Sequence, residues 1–188
     1  MSPGRMGRHM DLMRVTEACK LCGLIDDEWV DEFALKRGEL VHLATALDDR
    51  GDLDESTVDP VHVRPRLESW RVFKRETGCE IIEIERPVKH EAMGYRGTLD
   101  RIVRMDAGLF VLDLKGGQAA PWHPYQTALY ALAYQVEVGG PTPLRACVYL
   151  HGEGKRPRFV LHNDRHDFDR AKAIITVAHM KLGTRVPA

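Results

Sequence analysis

The run LFVLDLKGG, residues 109–117, constrains this chain more than any other stretch. Leu109 to Leu112 read as a buried strand and Leu114 continues the apolar pattern, but Asp113 and Lys115 interrupt it. Side chains two apart on a strand share a face, so an acid and a base are carried together into apolar surroundings. Burying them is costly unless they are paired or bind something. Upstream, Asp106-Ala107-Gly108 is a hairpin turn signal between this strand and GYRGTLDRIVRM, residues 94–105. Reflecting Asp100 through the turn centre, between Asp106 and Ala107, lands on Asp113. The two acids therefore face each other on adjacent strands, or stand one step apart if Gly108 forms a bulge. Opposed Cβ atoms lie about 4.5–5.5 Å apart, where like charges repel. A divalent cation reverses that sign, and hard carboxylate oxygens are the ligands Mg²⁺ or Mn²⁺ takes. Lys115 reaches the same place from the Asp113 face. Because Mg²⁺ on one or two carboxylates normally keeps waters and substrate phosphates, the arrangement points to a phosphate ester as substrate and water as nucleophile. The alternative, charges on an exposed edge strand, conflicts with the apolar residues on both sides.

The remaining pattern is read around that hairpin. Helices are expected over residues 14–24, 29–48 and 60–77, the second with Leu40, Leu43 and Leu47 at helical spacing. Residues 80–88 alternate, with Ile82 and Ile84 on one face of a strand and Glu83 and Glu85 on the other. After the hairpin come a helix over 122–137, strands over 144–150 and 157–161, and a helix capped by Asn163 or Asp164 and running to about residue 182. This order gives an α/β core with an N-terminal helical cover. The 188 residues suit one domain, expected over 11–188, with a disordered N-terminus over 1–10. No apolar run approaches the roughly 18 residues of a membrane helix, and MSPGRMGRHM lacks the apolar centre of a signal peptide. The Cys19–Cys22 pair has no second pair or histidines at zinc spacing, so Cys19, Cys22, Cys79 and Cys147 are expected as reduced thiols in a cytoplasmic protein.

Net charge is −1, which excludes a globally basic nucleic-acid binder. The charge is segregated, however: residues 26–59 hold twelve acids against three Lys/Arg, and residues 60–115 hold eleven Lys/Arg against nine acids. Arg64, Arg66, Arg71, Lys74 and Arg75 form either a local polyanion-binding face or a solvated helix surface.

Glu85, GTLD (97–100), VLDLKGG (111–117) and QTALY (126–130), in that order, strongly resemble the PD-(D/E)XK nuclease superfamily. Within it they resemble the RecB-type branch, which includes phage recombination exonucleases. That branch places a Glu, a GxxD, a D-x-K and a QxxxY in order after a helical His, here His42 in RGELVH. The resemblance spans about residues 37–135; Leu99 stands where the nominal Pro would be. It implies a restriction-endonuclease-like core, a mixed central sheet flanked by helices. It also implies roles. Asp100 and Asp113 would be metal ligands joined by the Leu114 carbonyl. Lys115 would position the attacking water and stabilise the phosphorane charge. His42 would be a metal ligand or a contact to the scissile phosphate, and Glu85 would complete the acid group, with Glu83 the competing choice. Gln126 and Tyr130 would support the site and touch substrate backbone; without the family, Tyr130 reads equally as a core aromatic. Trp122, His123 and Tyr125 either stack on unpaired bases or pack the helix start.

The implied activity is a Mg²⁺- or Mn²⁺-dependent DNA nuclease, foremost an exonuclease in recombination, repair or phage DNA processing. An endonuclease and a catalytically inactive DNA-binding module are the alternatives. DNA is the implied partner, alongside phage or host recombination proteins, and an oligomer is compatible. Some RecB-like nucleases hold an iron–sulfur cluster on one cysteine before the core and three near the C-terminus. Only Cys147 follows QTALY here, so no cluster is expected. No GxxxxGK[ST] occurs, so no ATP motor is expected either.

Overall fold

A computed structural model describes residues 12–26, 31–153 and 155–183. The segment 1–10, expected to be disordered, lies outside the described residues. Strands β2 (Glu80–His90), β3 (Tyr95–Met105) and β4 (Gly108–Lys115) form an antiparallel meander. Helix α4 (His123–Val138) then crosses over, so β5 (Leu144–Tyr149) returns parallel to β4, and β6 (Arg158–Leu161) closes that edge antiparallel. At the other end a two-residue strand β1 (Met13–Arg14) lies parallel to the start of β3. The sheet is mixed and flanked by helices, as the family resemblance implies. β1 was not legible: two residues carry no periodicity, and the expected helix 14–24 begins only after it, as α1 (Val15–Leu21).

Helices cover both faces. α1, α4 and α5 (His166–Lys181) pack one apolar layer around Leu99, Ile102, Val111, Leu129 and Ile175. α2 (Glu32–Arg50) and α3 (Arg64–Thr77) pack the other around Leu67, Trp70, Val103, Leu112 and Leu114. No helix among the described residues is long and apolar enough to cross a membrane. The α2 stripe differs from the expected one. Leu40 and Leu43 are exposed, and the buried positions are Val41, Ala44, Thr45 and Ala46. Small side chains let this helix lie close to its neighbours, and a leucine stripe would hold it away.

Three irregularities in the sheet prepare the site. First, β4 pairs with residues 101–105 of β3 and β1 with residues 95–96, so neither pairs with 97–100. Second, β2 bulges between Ile81 and Glu83. Third, Glu85 has φ 50°, a left-handed conformation uncommon outside glycine, and it drops out of the β2–β3 pairing. The alternation expected for β2 is therefore broken, and Glu83 and Glu85 part. Glu83 accepts a hydrogen bond from Tyr134 of α4 at 2.9 Å and pairs with Arg86, while Glu85 turns toward α2.

The basic segment is largely consumed internally. Arg64 pairs with Glu55, Arg71 with Asp48, Glu55 and Glu68, and Lys74 with Asp48 and Asp49. The acid-rich stretch before α3 thus neutralises most of the helix that follows it.

Arg101, fully buried on β3, joins the layers. Its guanidinium donates to Asp49 Oδ2 at 2.6 Å, Thr45 Oγ1 at 3.1 Å, Glu85 Oε1 at 3.1 Å and the Asp100 carbonyl at 2.6 Å. Removing one partner of a buried pair strands the others. Arg101→Leu is therefore expected to lower unfolding free energy by about 3–5 kcal/mol, read by urea denaturation. A loss under about 1 kcal/mol would mean that Asp49, still held by Trp70 and Lys74, needs no guanidinium.

Candidate active site

The hairpin delivers what the reflection through its turn places there. The β3–β4 register runs from Met105↔Gly108 to Arg101↔Leu112, and its next step sets Asp100 opposite Asp113. There the strands part, and the Asp100 carboxylate takes the place of a strand partner: Leu114 N–H donates to Asp100 Oδ2 at 2.6 Å. Both acids are buried, Asp113 to 2% exposure.

His42 of α2 reaches this gap. Its Nδ1 lies 3.5 Å from Asp100 Oδ1 and 3.8 Å from Glu85 Oε1. His42, Glu85 and Asp100 each offer a ligand atom within 4.8 Å of the others. The mutual electrostatics are strong. Asp100, assisted by Glu85 and opposed by burial, raises the His42 pKa to about 9. Burial lifts the Asp100 carboxyl to about 6; His42 opposes this and Asp113 adds to it. Burial also works to raise Glu85, but His42 and Arg101 outweigh it and hold that carboxyl below its ordinary range.

The Asp113 carboxylate is not in that group. Its Oδ2 accepts from Lys115 Nζ at 2.7 Å and from the Cys147 thiol at 3.5 Å, Cys147 being its register partner on β5. The expected pair of opposed acids thus resolves into two halves: Asp100 with His42 and Glu85, and Asp113 with Lys115. Burial acts to lower the Lys115 pKa, but Asp113 and Asp100 more than offset it and the net shift is upward. The ammonium therefore stays charged at neutral pH.

From Lys115 a chain of hydrogen bonds runs onto α4. Lys115 Nζ donates to Gln126 Oε1 at 2.9 Å, and Gln126 Nε2 donates to Tyr130 Oη at 3.0 Å. A Cβ on Gly97 would stand 2.5 Å from Tyr130 Cε1, so the glycine of GTLD exists to admit the ring of QTALY. Tyr130 is buried, and it lines a cavity of about 610 Å³ with Arg14, Arg96 and Thr98. Of the aromatic cluster, His123 is buried on Tyr149 at 2.8 Å, and the Trp122 ring lies edge-on to His123 with Lys115 Nζ 5.2 Å from its centre. Cys19 is buried in the core and the Cys22 thiol donates to the Ile174 carbonyl at 3.4 Å.

The Arg101 support and the Cys147 contact escaped the sequence reading. Arg101 could have been found by the argument applied to Asp113: a charge between Leu99 and Ile102 in an apolar strand demands partners. Thr45 and Asp49 follow His42 at i+3 and i+7, on one helix face.

Comparison with known proteins bears on the family and the fold. A profile of the PD-(D/E)XK nuclease superfamily matches residues 19–180. No curated protein sequence matches. Among solved structures, a crystal structure from Eubacterium rectale named "Putative exonuclease" superposes with a TM-score of 0.54 at 11% identity. The match covers 98% of this chain and 88% of that one, a likeness of fold. On the profile match over most of its length, the chain belongs to the PD-(D/E)XK nuclease superfamily.

Proposed function

We propose that the protein is a metal-dependent deoxyribonuclease that hydrolyses phosphodiester bonds, acting on DNA ends as an exonuclease in recombination, repair or phage DNA processing. The observation that carries this reading is the acid–imidazole group set beside a buried, charged lysine. Its partners are DNA and the recombination proteins of a phage or host. Free thiols at all four cysteines support a cytoplasmic setting.

The donor set suits a hard divalent ion. Two carboxylates and one imidazole converge in the His42–Glu85–Asp100 group, chemistry that Mg²⁺ or Mn²⁺ accepts. His42, Glu85 and Asp100 would hold it, and Asp113 with the Leu114 carbonyl, ligands by the resemblance, would join them only with the Asp113 carboxylate turned from Lys115. When bound, the ion supplies Lewis-acid polarisation of the phosphate and neutralises the acids.

The chain's own residues do the rest. Lys115, kept protonated by Asp113 and Asp100, is a hydrogen-bond donor and cation rather than a base. It orients the attacking water and stabilises charge that develops on the phosphorane oxygens. Gln126 holds the ammonium from the other side, and Tyr130 holds Gln126. Glu85 reaches the group only through its left-handed backbone, and Arg101 keeps it there.

Digestion of linear and closed circular DNA with Mg²⁺ or Mn²⁺, resolved on a gel, tests this reading. Shortening of linear DNA alone is expected. Nicked circles would make the protein an endonuclease, and no cleavage in either ion would leave a binding module. Lys115→Ala is expected to slow cleavage about 10²–10³-fold while the ion still stabilises the fold. A variant cutting at the wild-type rate would remove Lys115 from the reaction.

Asp100→Asn tests the metal assignment through stability. The folded Asp100 pKa of about 6 lies above the unfolded value of about 3.9, so its contribution is fully present below that unfolded value and is lost as pH rises through about 6. Asn cannot ionise and escapes this loss. In chelator at pH 8 the Asn variant should melt a few degrees above wild type, with the advantage gone near pH 4. Millimolar Mn²⁺ should reverse the order, because it binds only the intact site. A wild-type midpoint indifferent to either ion would sink the assignment.

A further inference from the structure

Beside the acids lies a second group of like charges, of opposite sign. Arg37 of α2 and Arg66 of α3 line a cleft of about 220 Å³ with Gly38, Val41, Gly116 and Gly117. Arg64, Arg71 and Lys74 are each taken by acids. Arg66 instead donates only to carbonyls, Gly116 at 3.2 Å and His62 at 2.8 Å. Among the described residues, Arg37 meets the Phe33 ring, 5.8 Å from its centre, and no carboxylate. Asp31 stands at the rim, but its carboxylate caps α2, accepting the Phe33 N–H at 3.0 Å. Burial and the neighbouring Arg37 both hold the Arg66 pKa below its ordinary value. Two guanidiniums in one cleft repel each other, and among its described lining residues the one carboxylate, Asp31, is already engaged at the start of α2.

The seat of Arg66 is built from glycines. A Cβ on Gly116 would lie 3.3 Å from Arg66 Nε, and one on Gly152 would lie 3.2 Å from Nη2. A Cβ on Gly38 or Gly117 would meet nothing within 4 Å, so the cleft floor is open backbone. The cleft also adjoins the reacting groups along the chain: Gly116 follows Lys115, and Val41 precedes His42.

We propose that this cleft is a second phosphate site, in which Arg37 and Arg66 hold the DNA backbone phosphate next to the scissile one. The inference rests on the nuclease reading and deepens it. Planar guanidiniums match phosphate oxygens in pairs, which a lysine cannot do. The volume is below the roughly 300 Å³ at which sites for drug-sized ligands begin, so the cleft takes a phosphate and part of a sugar, with the base outside. Binding there is indifferent to sequence and fixes the register of the strand across Lys115.

Arg37→Gln is the variant of choice, since Arg37 has no polar contact among the described residues, and Lys36→Gln removes the same charge one residue away as a control. The substrates are an oligonucleotide and a series in which one linkage, walked outward from the cleavage position, is an uncharged methylphosphonate. Wild type should lose about 10–100-fold, mostly in KM, when the adjoining linkage is neutral. Arg37→Gln should show a comparable KM loss on the unmodified strand and no further loss on the neutral one. Its salt dependence of binding should be shallower by about one phosphate contact. Lys36→Gln should keep the wild-type pattern. Wild-type KM in Arg37→Gln, or an unchanged response to the neutral linkage, overturns the second site while DNA cleavage stands. Failure of the wild type to cleave DNA at all would instead overturn the nuclease reading and this site with it.

Discussion

The site depends on one buried cation. Arg101 stands on β3, is closed to solvent, and can persist there only because Asp49, Thr45, Glu85 and the Asp100 carbonyl surround it. Those partners come from α2, from β2 and from β3 itself. The guanidinium therefore fixes the distance of α2 from the sheet and the direction of Glu85 in one step. His42 lies on the same α2, three residues before Thr45, so its approach to Asp100 is set by the same contacts. A leucine in place of Arg101 would fill the space without specifying any of these positions.

Around that anchor the sheet is irregular where it must be. A regular β3–β4 ladder through 97–100 would satisfy the backbone and leave no room between the strands. Ending the pairing at Arg101↔Leu112 frees the Leu114 N–H, and the Asp100 carboxylate accepts it. The acid is thereby held by the backbone in surroundings that raise its pKa to about 6. The left-handed Glu85 is the complementary device on β2, costing local strain of about 1–3 kcal/mol. It turns one carboxylate of an alternating pair toward α2 and leaves Glu83 to Tyr134.

Legibility in the sequence followed locality. The hairpin was readable because a tight turn fixes register arithmetically, and Met105↔Gly108 is the pairing its centre demands. Element order followed from periodicity, and the mixed sheet was implied by the family resemblance. What could not be read were deviations from period and partners chosen across the fold. Nothing in EIIEIE announces a bulge or a positive φ, so Glu83 and Glu85 looked equivalent. Leucine spacing in α2 pointed to a core face, yet the helix buries alanines because Arg101 and Thr45 draw it close. The basic run of α3 looked continuous, and only the fold shows that Asp48, Asp49 and Glu55 consume most of it.

That consumption bears on how a chain of net charge −1 can handle a polyanion. A field spread over the surface would attract DNA without placing it, and here it is largely cancelled by internal pairs. Of the cations in the cleft, Arg66 donates to the carbonyl of Gly116, the residue after Lys115, and Arg37 lines the same cleft. In the proposed reading, attraction is thus concentrated beside the segment that carries Lys115. A strand crossing from the guanidiniums to Lys115 moves from a positive site toward a negative one that only a cation can make hospitable. In the proposed reading the same acids that would bind an ion repel a phosphate in its absence, which would couple metal and substrate through charge.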